Sequence, residues 1–328
     1  MHITFLGCGA WGYALAYLLA EKGNSVTCWT VDAALEGASI HPRHPNYPIP
    51  SNIHITTHAK QALKNADIVI ESVTAAGLRP VLNEVGSFIP KNALFILTSK
   101  GIEQKSGLTL SEVVMEILGA AWKNQLAALS GPSFAKEVIA KQPTSVVAAA
   151  YNPLIAKETA LLFATPYFRV YPNTDMHGVS FCGALKNIIA IACGIAQGLG
   201  YGMGTRAALM TRGLHEMNKL ARVEGCRTET LSGLAGMGDL FLTGSSTLSR
   251  NFVFGQLLAQ GLTPNQAKEK IGMVVEGAYT CFSARELANK LNVAMPITDL
   301  ICQLIEGKIL PEDGVRLLME REIKEEHL

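Results

Sequence analysis

Short apolar runs alternate with helical patterns through the first half of the chain. Each run has the length of a strand, and the segments between the runs repeat apolar residues at helical spacing. The predicted strands span residues 2–6, 25–30, 53–56, 67–73, 93–98, 125–129 and 144–149. Repeated strand–helix units predict an α/β fold with a Rossmann-type, doubly wound and mainly parallel sheet. Ligands of such a sheet bind beyond the carboxyl ends of its strands.

The alternation breaks near residues 172–178, and only helical patterns follow. These patterns cover residues 178–200, 205–223, 252–260, 264–270, 277–290, 297–306 and 311–320. We therefore expect two domains: a dinucleotide-binding, Rossmann-like domain over residues 1–177 and an all-helical substrate and catalytic domain over residues 178–328.

A glycine motif follows the first predicted strand directly. Gly7, Gly9 and Gly12 form G-x-G-x-x-G between the strand 2–6 and a helical pattern over residues 13–22. In this context the glycines permit a tight turn and a close backbone approach, and the helix N-terminus faces a pyrophosphate. The motif predicts a dinucleotide site. The alternative is a glycine-rich turn with no ligand.

The end of the second predicted strand is where an acid would select NAD or a basic group would select NADP. Thr30 and Val31 occupy the expected contact positions, and Asp32 follows slightly late. The loop beyond contains Arg43 and two histidines among prolines. The choice between NAD and NADP stays open at this point.

One lysine stands alone in an apolar stretch, residues 181–197. Lys186 is the only Asp, Glu, Lys or Arg between Asp175 and Arg206. An ammonium among small and aliphatic side chains loses hydration unless an anion or a polar substrate contacts it. Lys186 is therefore a candidate site residue. The alternative is a lysine near a helix start whose ammonium reaches solvent.

Two loops fall at the carboxyl ends of predicted strands. Residues 98–103, which include Lys100, follow one strand, and residues 130–135 follow the next. A cation at that edge of the sheet indicates a role at the cofactor crevice. The alternative for Lys100 is a solvated turn lysine.

A run of short polar side chains over residues 234–251 is not explained by packing alone. Arg250 and Asn251 stand side by side, and such donors suit a phosphate. Asp239 is suited to accept from a substrate hydroxyl or from Lys186. The alternative is an aspartate that caps a turn and an arginine paired on the surface.

Composition removes several classes of function. The 328 residues are 48% hydrophobic and 17% charged with a net charge of +1, which gives no sign of nucleic-acid or anionic-membrane binding. We expect no signal peptide and no membrane span. The seven scattered cysteines lack a C-x-x-C pair, which is typical of reduced cytoplasmic thiols. Two histidine pairs, 41/44 and 54/58, lie among prolines and a predicted strand, so we expect no metal site.

Six segments in order carry a family resemblance: GCGAWGYALA (7–16), LTSKGIE (97–103), LSGPSFAKEV (129–138), GALKNIIAIACGIAQGLGYG (183–202), LAGMGDLFLTGSSTLSRN (234–251) and VVEG (274–277). Over essentially the whole chain they resemble the bacterial NAD(P)-dependent glycerol-3-phosphate dehydrogenases. Several ordered motifs of this length are more specific than one glycine loop.

The resemblance implies that Lys186 donates and accepts the proton when dihydroxyacetone phosphate is reduced to sn-glycerol 3-phosphate for phospholipid synthesis. Around the substrate it implies Lys100, Gly131, Ser133, Asp239, Thr243, Ser249, Arg250 and Asn251. Beside the cofactor it implies Trp11, Lys100, Ala135, Arg250, Val274 and Glu276, which join Gly7, Gly9, Ala10 and Gly12 of the glycine motif. As the cofactor we favour NADP over NAD. The resemblance further implies a homodimer, which we expect in the cytoplasm.

The chain departs from the family pattern at two residues and one loop. Val31 stands where Arg or His is usual, Thr74 stands where Pro is usual, and the loop 33–50 is shortened. The loss of the basic residue removes the expected contact to a 2′-phosphate, although Arg43 or a nearby histidine is placed to substitute. None of these changes touches the expected chemistry.

That chemistry follows from the reaction type. Hydride addition to a ketone places negative charge on its oxygen, where a positioned acid must deliver a proton. A partly desolvated Lys186 suits this role, with Asp239 as its counter-charge. Lys100 would polarise the same oxygen, and Arg250 would hold the phosphate.

Two alternatives remain. A hydroxy-acid dehydrogenase with the same fold would need a group that binds a carboxylate and would not need Arg250 beside Asn251. A non-catalytic NAD(P)-binding sensor would bind the cofactor without turning over a substrate.

Overall fold

The computed structural model describes residues 1–104, 106–323 and 325–326. The strands are β1 (His2–Leu6), β2 (Ser25–Trp29), β3 (Ile53–Thr56), β4 (Ile68–Glu71), β5 (Leu94–Leu97), β6 (Leu126–Ser130), β7 (Thr144–Ala150) and β8 (Phe168–Asn173). The α-helices are α1 (Ala10–Glu21), α2 (Ala59–Leu63), α3 (Ala75–Val85), α4 (Leu110–Leu118), α5 (Ala135–Ile139), α6 (Pro153–Phe163), α7 (Met176–Gly198), α8 (Met203–Val223), α9 (Thr228–Ser232), α10 (Asp239–Ser245), α11 (Arg250–Ala259), α12 (Pro264–Ile271), α13 (Gly277–Lys290), α14 (Pro296–Ile305) and α15 (Pro311–Met319).

The strands form one sheet in the order β3-β2-β1-β4-β5-β6-β7-β8. All neighbouring pairs are parallel except β6 and β7. This architecture confirms the predicted Rossmann-type sheet followed by helices. The strand order reverses between β1 and β4, and a doubly wound sheet opens its ligand crevice at such a point.

The eighth strand was not predicted from the sequence. β8 contains Pro172, and most of its side chains are exposed or half-buried. It lies at the edge of the sheet and pairs only with β7. Proline lacks the N–H that a central strand must donate, so it is tolerated at an edge. The same proline suggested a domain boundary in the sequence.

Alternating strand residues enter two apolar layers, one on each face of the sheet. Ile68 and Ile70 belong to the layer that includes α1, α5 and α6. Val69, between them, belongs to the layer that includes α2, α3 and α4. Burial on both faces explains why these strands are continuous apolar runs.

The chain forms two compact units, Met1–Gly183 with Gly225–Asp239, and Ala184–Glu224 with Leu240–Leu328. The division predicted at residues 177 and 178 treats each domain as one continuous segment, and it stays a prediction. In the first unit the segment that returns at residue 225 is held by Asp175. Its carboxylate accepts from the N–H groups of Gly178 and Arg227, both at 2.9 Å.

Glycines let helices cross closely in the second unit. A Cβ at Gly194 would lie 2.0 Å from the carbonyl oxygen of Phe252, and one at Gly255 would lie 2.1 Å from that of Ile191. Neither position can hold a larger residue unless the backbone moves. The crossing of α7 and α11 therefore depends on these two glycines.

Helix α7 is also the one described helix that is long and apolar enough to cross a membrane by length and composition. Of its most apolar 18-residue window, 94% is buried. A buried core helix is apolar on all sides and has the same composition.

Candidate active site

The glycine loop after β1 has the geometry that a dinucleotide needs. Gly7 has a φ of +102°, and a Cβ there would lie 2.6 Å from the carbonyl oxygen of Ser72. A Cβ at Gly12 would lie 2.6 Å from the Gly7 carbonyl oxygen. At Gly9 no atom lies within 4 Å of such a Cβ. Gly7 and Gly12 are thus required because other backbone atoms pack closely against them, whereas Gly9 leaves open space beside the backbone.

Helix α1 begins directly behind this loop. Its first backbone bond runs from Tyr13 N to Gly9 O at 2.9 Å, so the N–H groups of Ala10, Trp11 and Gly12 have no carbonyl four residues earlier in the helix. Such groups, with the positive end of the helix dipole, suit an anion. The loop and helix therefore fit a pyrophosphate.

Two buried histidines brace the glycine loop from behind. His41 Nε2 lies 2.8 Å from the carbonyl oxygen of Cys8, and His44 Nε2 lies 2.8 Å from that of Ala10. The N–H of Arg43 donates to His41 Nδ1 at 3.2 Å, so Nε2 carries the hydrogen of a neutral ring. Burial lowers the pKa of His44. We name this pair, His41 and His44, the histidine brace.

The contacts of the histidine brace bear on which side chains could bind the 2′-phosphate of NADP. Its histidines are committed to the loop carbonyls, which leaves Arg43, whose side chain is exposed. Val31 is 85% exposed at the end of β2. Thr30 Oγ1 accepts from the N–H of Asp32, and Asp32 Oδ1 in turn accepts from Ala34 N, both at 3.1 Å.

Lys100 forms an ion pair in the first unit. Its Nζ lies 2.5 Å from Asp239 Oδ2 and donates to the carbonyl oxygen of Gly131 at 3.2 Å. The Asp239 side chain is 1% exposed and that of Lys100 is 19% exposed. Ser133 Oγ donates to the same Gly131 oxygen at 3.2 Å. Four of the predicted substrate residues thus lie in one hydrogen-bonded group.

The loop that carries Lys100 is anchored at its far end by an arginine. Arg79 on α3 binds Glu103 through two parallel hydrogen bonds, Nε to Oε1 at 2.7 Å and Nη2 to Oε2 at 2.8 Å. Two parallel bonds fix the orientation of the carboxylate as well as its position. The same guanidinium also reaches Glu116 on α4, at 3.0 Å.

At the near end of the loop, a buried acid that the sequence analysis missed joins two loops. Glu71, the last residue of β4, is 0% exposed and accepts from the N–H of Val73 at 2.7 Å. It also accepts from the hydroxyl and the N–H of Ser99. Burial raises the pKa of Glu71 to about 7, although these hydrogen bonds act in the opposite direction.

Lys186 is buried in the second unit. It is 6% exposed, and its Nζ donates to Thr243 Oγ1 at 2.5 Å. Thr243 lies on α10 and is 3% exposed. The ammonium does not reach solvent as a surface lysine would, so the alternative of a solvent-reaching lysine is wrong.

Asn251 connects three helices of the second unit. Its Nδ2 donates to Asn187 Oδ1 at 2.9 Å, and its Oδ1 accepts from the N–H of Gly277 at 2.9 Å. The Asn251 Nδ2 atom carries a second N–H besides the one that it donates to Asn187. Ser249 Oγ caps α11 by accepting from the N–H of Phe252 at 3.2 Å. Asn187 is a further residue that the sequence analysis did not single out.

The remaining predicted residues lie at helix starts or, for Val274, shortly before one. Arg250 is the exposed first residue of α11, and Ala135 is the half-buried first residue of α5. Val274 is 37% exposed, and Glu276 directly precedes α13. These positions suit contacts with a ligand from a backbone that the helices hold in place.

Comparisons with known proteins agree over the whole chain. The models for the N-terminus and the C-terminus of NAD-dependent glycerol-3-phosphate dehydrogenase match residues 2–156 and 175–316. The chain is 53% identical over 330 residues to the glycerol-3-phosphate dehydrogenase (NAD(P)+) of Protochlamydia amoebophila, with 99% of each chain covered. It is 50% identical to that of Chlamydia pneumoniae, over 100% of this chain and 99% of the relative.

A solved structure shows the same architecture. The glycerol-3-phosphate dehydrogenase of Coxiella burnetii superposes with a TM-score of 0.93 at 37% identity. The match covers 98% of this chain and 99% of that one.

Proposed function

This chain belongs to the NAD-dependent glycerol-3-phosphate dehydrogenase family, and on that premise we propose that Lys186 is its general acid and base. The observation that carries the proposal is the burial of the Lys186 ammonium, at 6% exposure, with a hydroxyl oxygen 2.5 Å away. Such a group gains from a substrate oxygen that develops negative charge.

The proposed reaction is the reversible reduction of dihydroxyacetone phosphate to sn-glycerol 3-phosphate. NAD(P)H supplies the hydride when bound. As the carbonyl oxygen gains charge, the Lys186 ammonium donates a proton to it. In the opposite direction the neutral amine accepts the hydroxyl proton. A positioned acid of this kind contributes about 10²–10⁴-fold to the rate.

Lys100 and Asp239 form the second part of the proposal. The buried carboxylate of Asp239 pairs with the Lys100 side chain and limits its orientations. We assign to Lys100 the polarisation of the substrate oxygen, and to Asp239 the placement of that ammonium. Gly131 and Ser133, which share the same hydrogen-bonded group, are assigned to the substrate as well.

The phosphate is assigned to the start of α11. Arg250 provides an exposed guanidinium there, and Asn251 provides the remaining N–H of its amide. Ser249 and Thr243 complete the proposed set with two hydroxyl groups. A phosphate held in this way would orient the reacting carbon for hydride transfer.

The dinucleotide is assigned to the glycine loop and the start of α1. The proposed contacts are Gly7, Gly9, Ala10, Trp11 and Gly12, with Lys100, Ala135, Arg250, Val274 and Glu276. We propose that NADPH is preferred over NADH through Arg43, the exposed cation in the loop after β2.

The wider role follows the family. We propose that a cytoplasmic homodimer supplies sn-glycerol 3-phosphate for phospholipid synthesis. The seven cysteines, all free and buried, suit a reducing compartment.

The test is nicotinamide absorbance with dihydroxyacetone phosphate, run separately with NADH and NADPH. Lys186→Met should bind the cofactor almost normally in a fluorescence titration, while turnover falls by about 10² or more. Lys219→Met, a half-buried lysine on α8, is the matched control and should keep its turnover. Near-normal turnover of Lys186→Met would sink the assignment. Cofactor binding by the wild type without turnover would support a sensor instead.

A further inference from the structure

A buried carboxylate at the end of β4 holds two loops at once. Glu71 Oε1 accepts from the N–H of Val73 at 2.7 Å, in the loop after β4. Glu71 Oε2 accepts from the N–H groups of Ser99 and Thr98 at 3.3 and 3.4 Å, in the loop after β5. The strands are neighbours in the sheet, and Glu71 pairs with Leu97 in register.

The hydroxyl of Ser99, in the loop after β5, also contacts Glu71 and the loop after β4. Ser99 Oγ donates to Glu71 Oε1, and it also lies 2.7 Å from the carbonyl oxygen of Val73. Thr98 Oγ1 donates to the Glu71 carbonyl oxygen at 2.7 Å. Each loop therefore contacts the other through both backbone and side-chain groups.

The two loops carry different parts of the proposed site. The loop after β4 contains Ser72, whose backbone would meet a Cβ at Gly7 at 2.6 Å and whose Oγ would meet one at Gly12 at 2.8 Å. It thus packs directly against the dinucleotide loop. The loop after β5 contains Lys100, the residue that follows Ser99.

We propose that Glu71 and Ser99 are positioning residues that set the place of Lys100 relative to the glycine loop. The inference rests on the proposed role of Lys100. It assigns no contact with substrate or cofactor to either residue. Their effect on turnover would pass through the Lys100 ammonium alone.

The physical reason is the cost of burying unsatisfied N–H groups. The N–H groups of Val73, Thr98 and Ser99 all point at one carboxylate that is shielded from water. The Thr98 N–H would keep the carbonyl oxygen of residue 71 as an acceptor at 3.1 Å. An aliphatic side chain at position 71 would leave the N–H groups of Val73 and Ser99 without their acceptor, and the loops would shift to find others. A displacement of about 1 Å can cost about 10²-fold in rate.

Three variants test the inference. Ser99→Ala removes the hydroxyl between the loops, Glu71→Leu removes the acceptors, and Glu71→Gln keeps the shape and one oxygen. We expect Ser99→Ala and Glu71→Leu to lower kcat about tenfold or more with a smaller change in KM. Glu71→Gln keeps one acceptor oxygen, so it should lose less kcat than Glu71→Leu. Rates are expressed per cofactor-binding site, counted by fluorescence titration.

A second buried glutamate gives the matched control. Glu216 on α8 is 4% exposed and accepts from the N–H groups of Ile297 and Thr298 at 2.6 and 3.3 Å, at the start of α14. Glu216→Leu should lose stability in the same way, yet keep its kcat per binding site. A loss of kcat in Glu216→Leu equal to that in Glu71→Leu would overturn the inference.

The decisive measurement is a double-mutant cycle with Lys100. If Ser99 acts through Lys100, Ser99→Ala should lower kcat in the wild type but have almost no effect in Lys100→Ala. Equal losses in both backgrounds would overturn the inference, as would an unchanged kcat of Ser99→Ala. An unchanged kcat of Lys100→Ala would instead reject the proposed role of Lys100. The serine variant keeps the test decisive if Glu71→Leu does not fold.

Discussion

Lys100 and Asp239 are 139 residues apart in the sequence, yet their side chains meet at 2.5 Å in an ion pair. The acid is almost fully buried, whereas the lysine keeps part of its surface in contact with water. Loss of the lysine and loss of the acid should therefore lower the stability of the protein by different amounts. Removing the lysine takes a cationic partner from a buried carboxylate, and removing the acid leaves a cation that water can still reach.

The first prediction follows from this asymmetry. Lys100→Met should lower the free energy of unfolding by about 3 kcal/mol, and Asp239→Asn should lower it by less. Adding Asp239→Asn to Lys100→Met should restore part of the lost stability, because the buried negative charge is then removed together with its cationic partner. Denaturant unfolding of the three variants measures this. If the double variant is destabilised by the sum of the single losses, the pair is not coupled.

Arg250→Ala should affect phosphate-bearing substrate most. We expect KM for dihydroxyacetone phosphate to rise about tenfold or more, because a charge-assisted contact is lost. The slow reduction of dihydroxyacetone, which lacks the phosphate, should not change. Arg222→Ala, an exposed arginine on α8, serves as the control. An unchanged KM for the phosphate ester in Arg250→Ala would refute the assignment.

Cofactor choice should respond to position 31. Val31→Arg places a cation at the exposed end of β2 and should raise the preference for NADPH over NADH about tenfold. Arg43→Ala should lower that preference if Arg43 contacts the 2′-phosphate. The ratio of kcat/KM for the two cofactors is the measurement. Val223→Arg, at an exposed position on α8, should leave the ratio unchanged.

Stability should depend on pH through Glu216. Burial raises the pKa of this carboxyl from 4.5 to about 7. Between these values the folded protein holds a proton that the unfolded chain releases, so the free energy of unfolding falls as pH rises. The fall amounts to about 3 kcal/mol and is complete above pH 7.

Glu216→Gln should remove that share of the pH dependence. Denaturant unfolding at pH 5 and pH 7.5 compares the variant with the wild type, in which Glu71 contributes a fall of the same sign. Glu286→Gln, an exposed glutamate on α13, should leave the wild-type difference intact. An undiminished fall in Glu216→Gln would contradict the assignment.

The crossing of α7 and α11 gives a stability prediction. Gly255→Ala would put a methyl group 2.1 Å from the Ile191 carbonyl oxygen, so the helices must separate. We expect a loss of about 1–3 kcal/mol in the free energy of unfolding. Gly204→Ala, in a helical position with open space around it, should be neutral or stabilising. Equal stability of the two variants would show that the crossing adapts.

The sequence predicted the layers of the fold because strand and helix patterns are local. Strand β8 was missed because a proline such as Pro172 argues against a strand, unless that strand is known to lie at the edge of the sheet. It found Lys186 as a single charge in an apolar run. The same reasoning applied to the strand 67–73 would have found Glu71, the acid at the end of the buried strand β4.

Pairings between distant segments could not be predicted in this way. Nothing local in the sequence indicates that Lys100 meets Asp239, or that Asn251 takes Asn187 and Gly277 as partners. The role of Asp239 as a counter-charge for Lys186 stays a prediction. Partner choice depends on where the folded backbone brings each side chain, and single-sequence patterns do not contain that distance information.

The histidine brace limits how this enzyme can be redesigned. The loop that follows β2 is the natural target for an engineer who wishes to change the choice between NADH and NADPH. Here the same loop supplies the two rings that hold the backbone of the glycine turn. A graft that replaces residues 33–50 would therefore alter affinity for both cofactors at once. Selectivity is better changed by point substitutions that keep His41 and His44 in place.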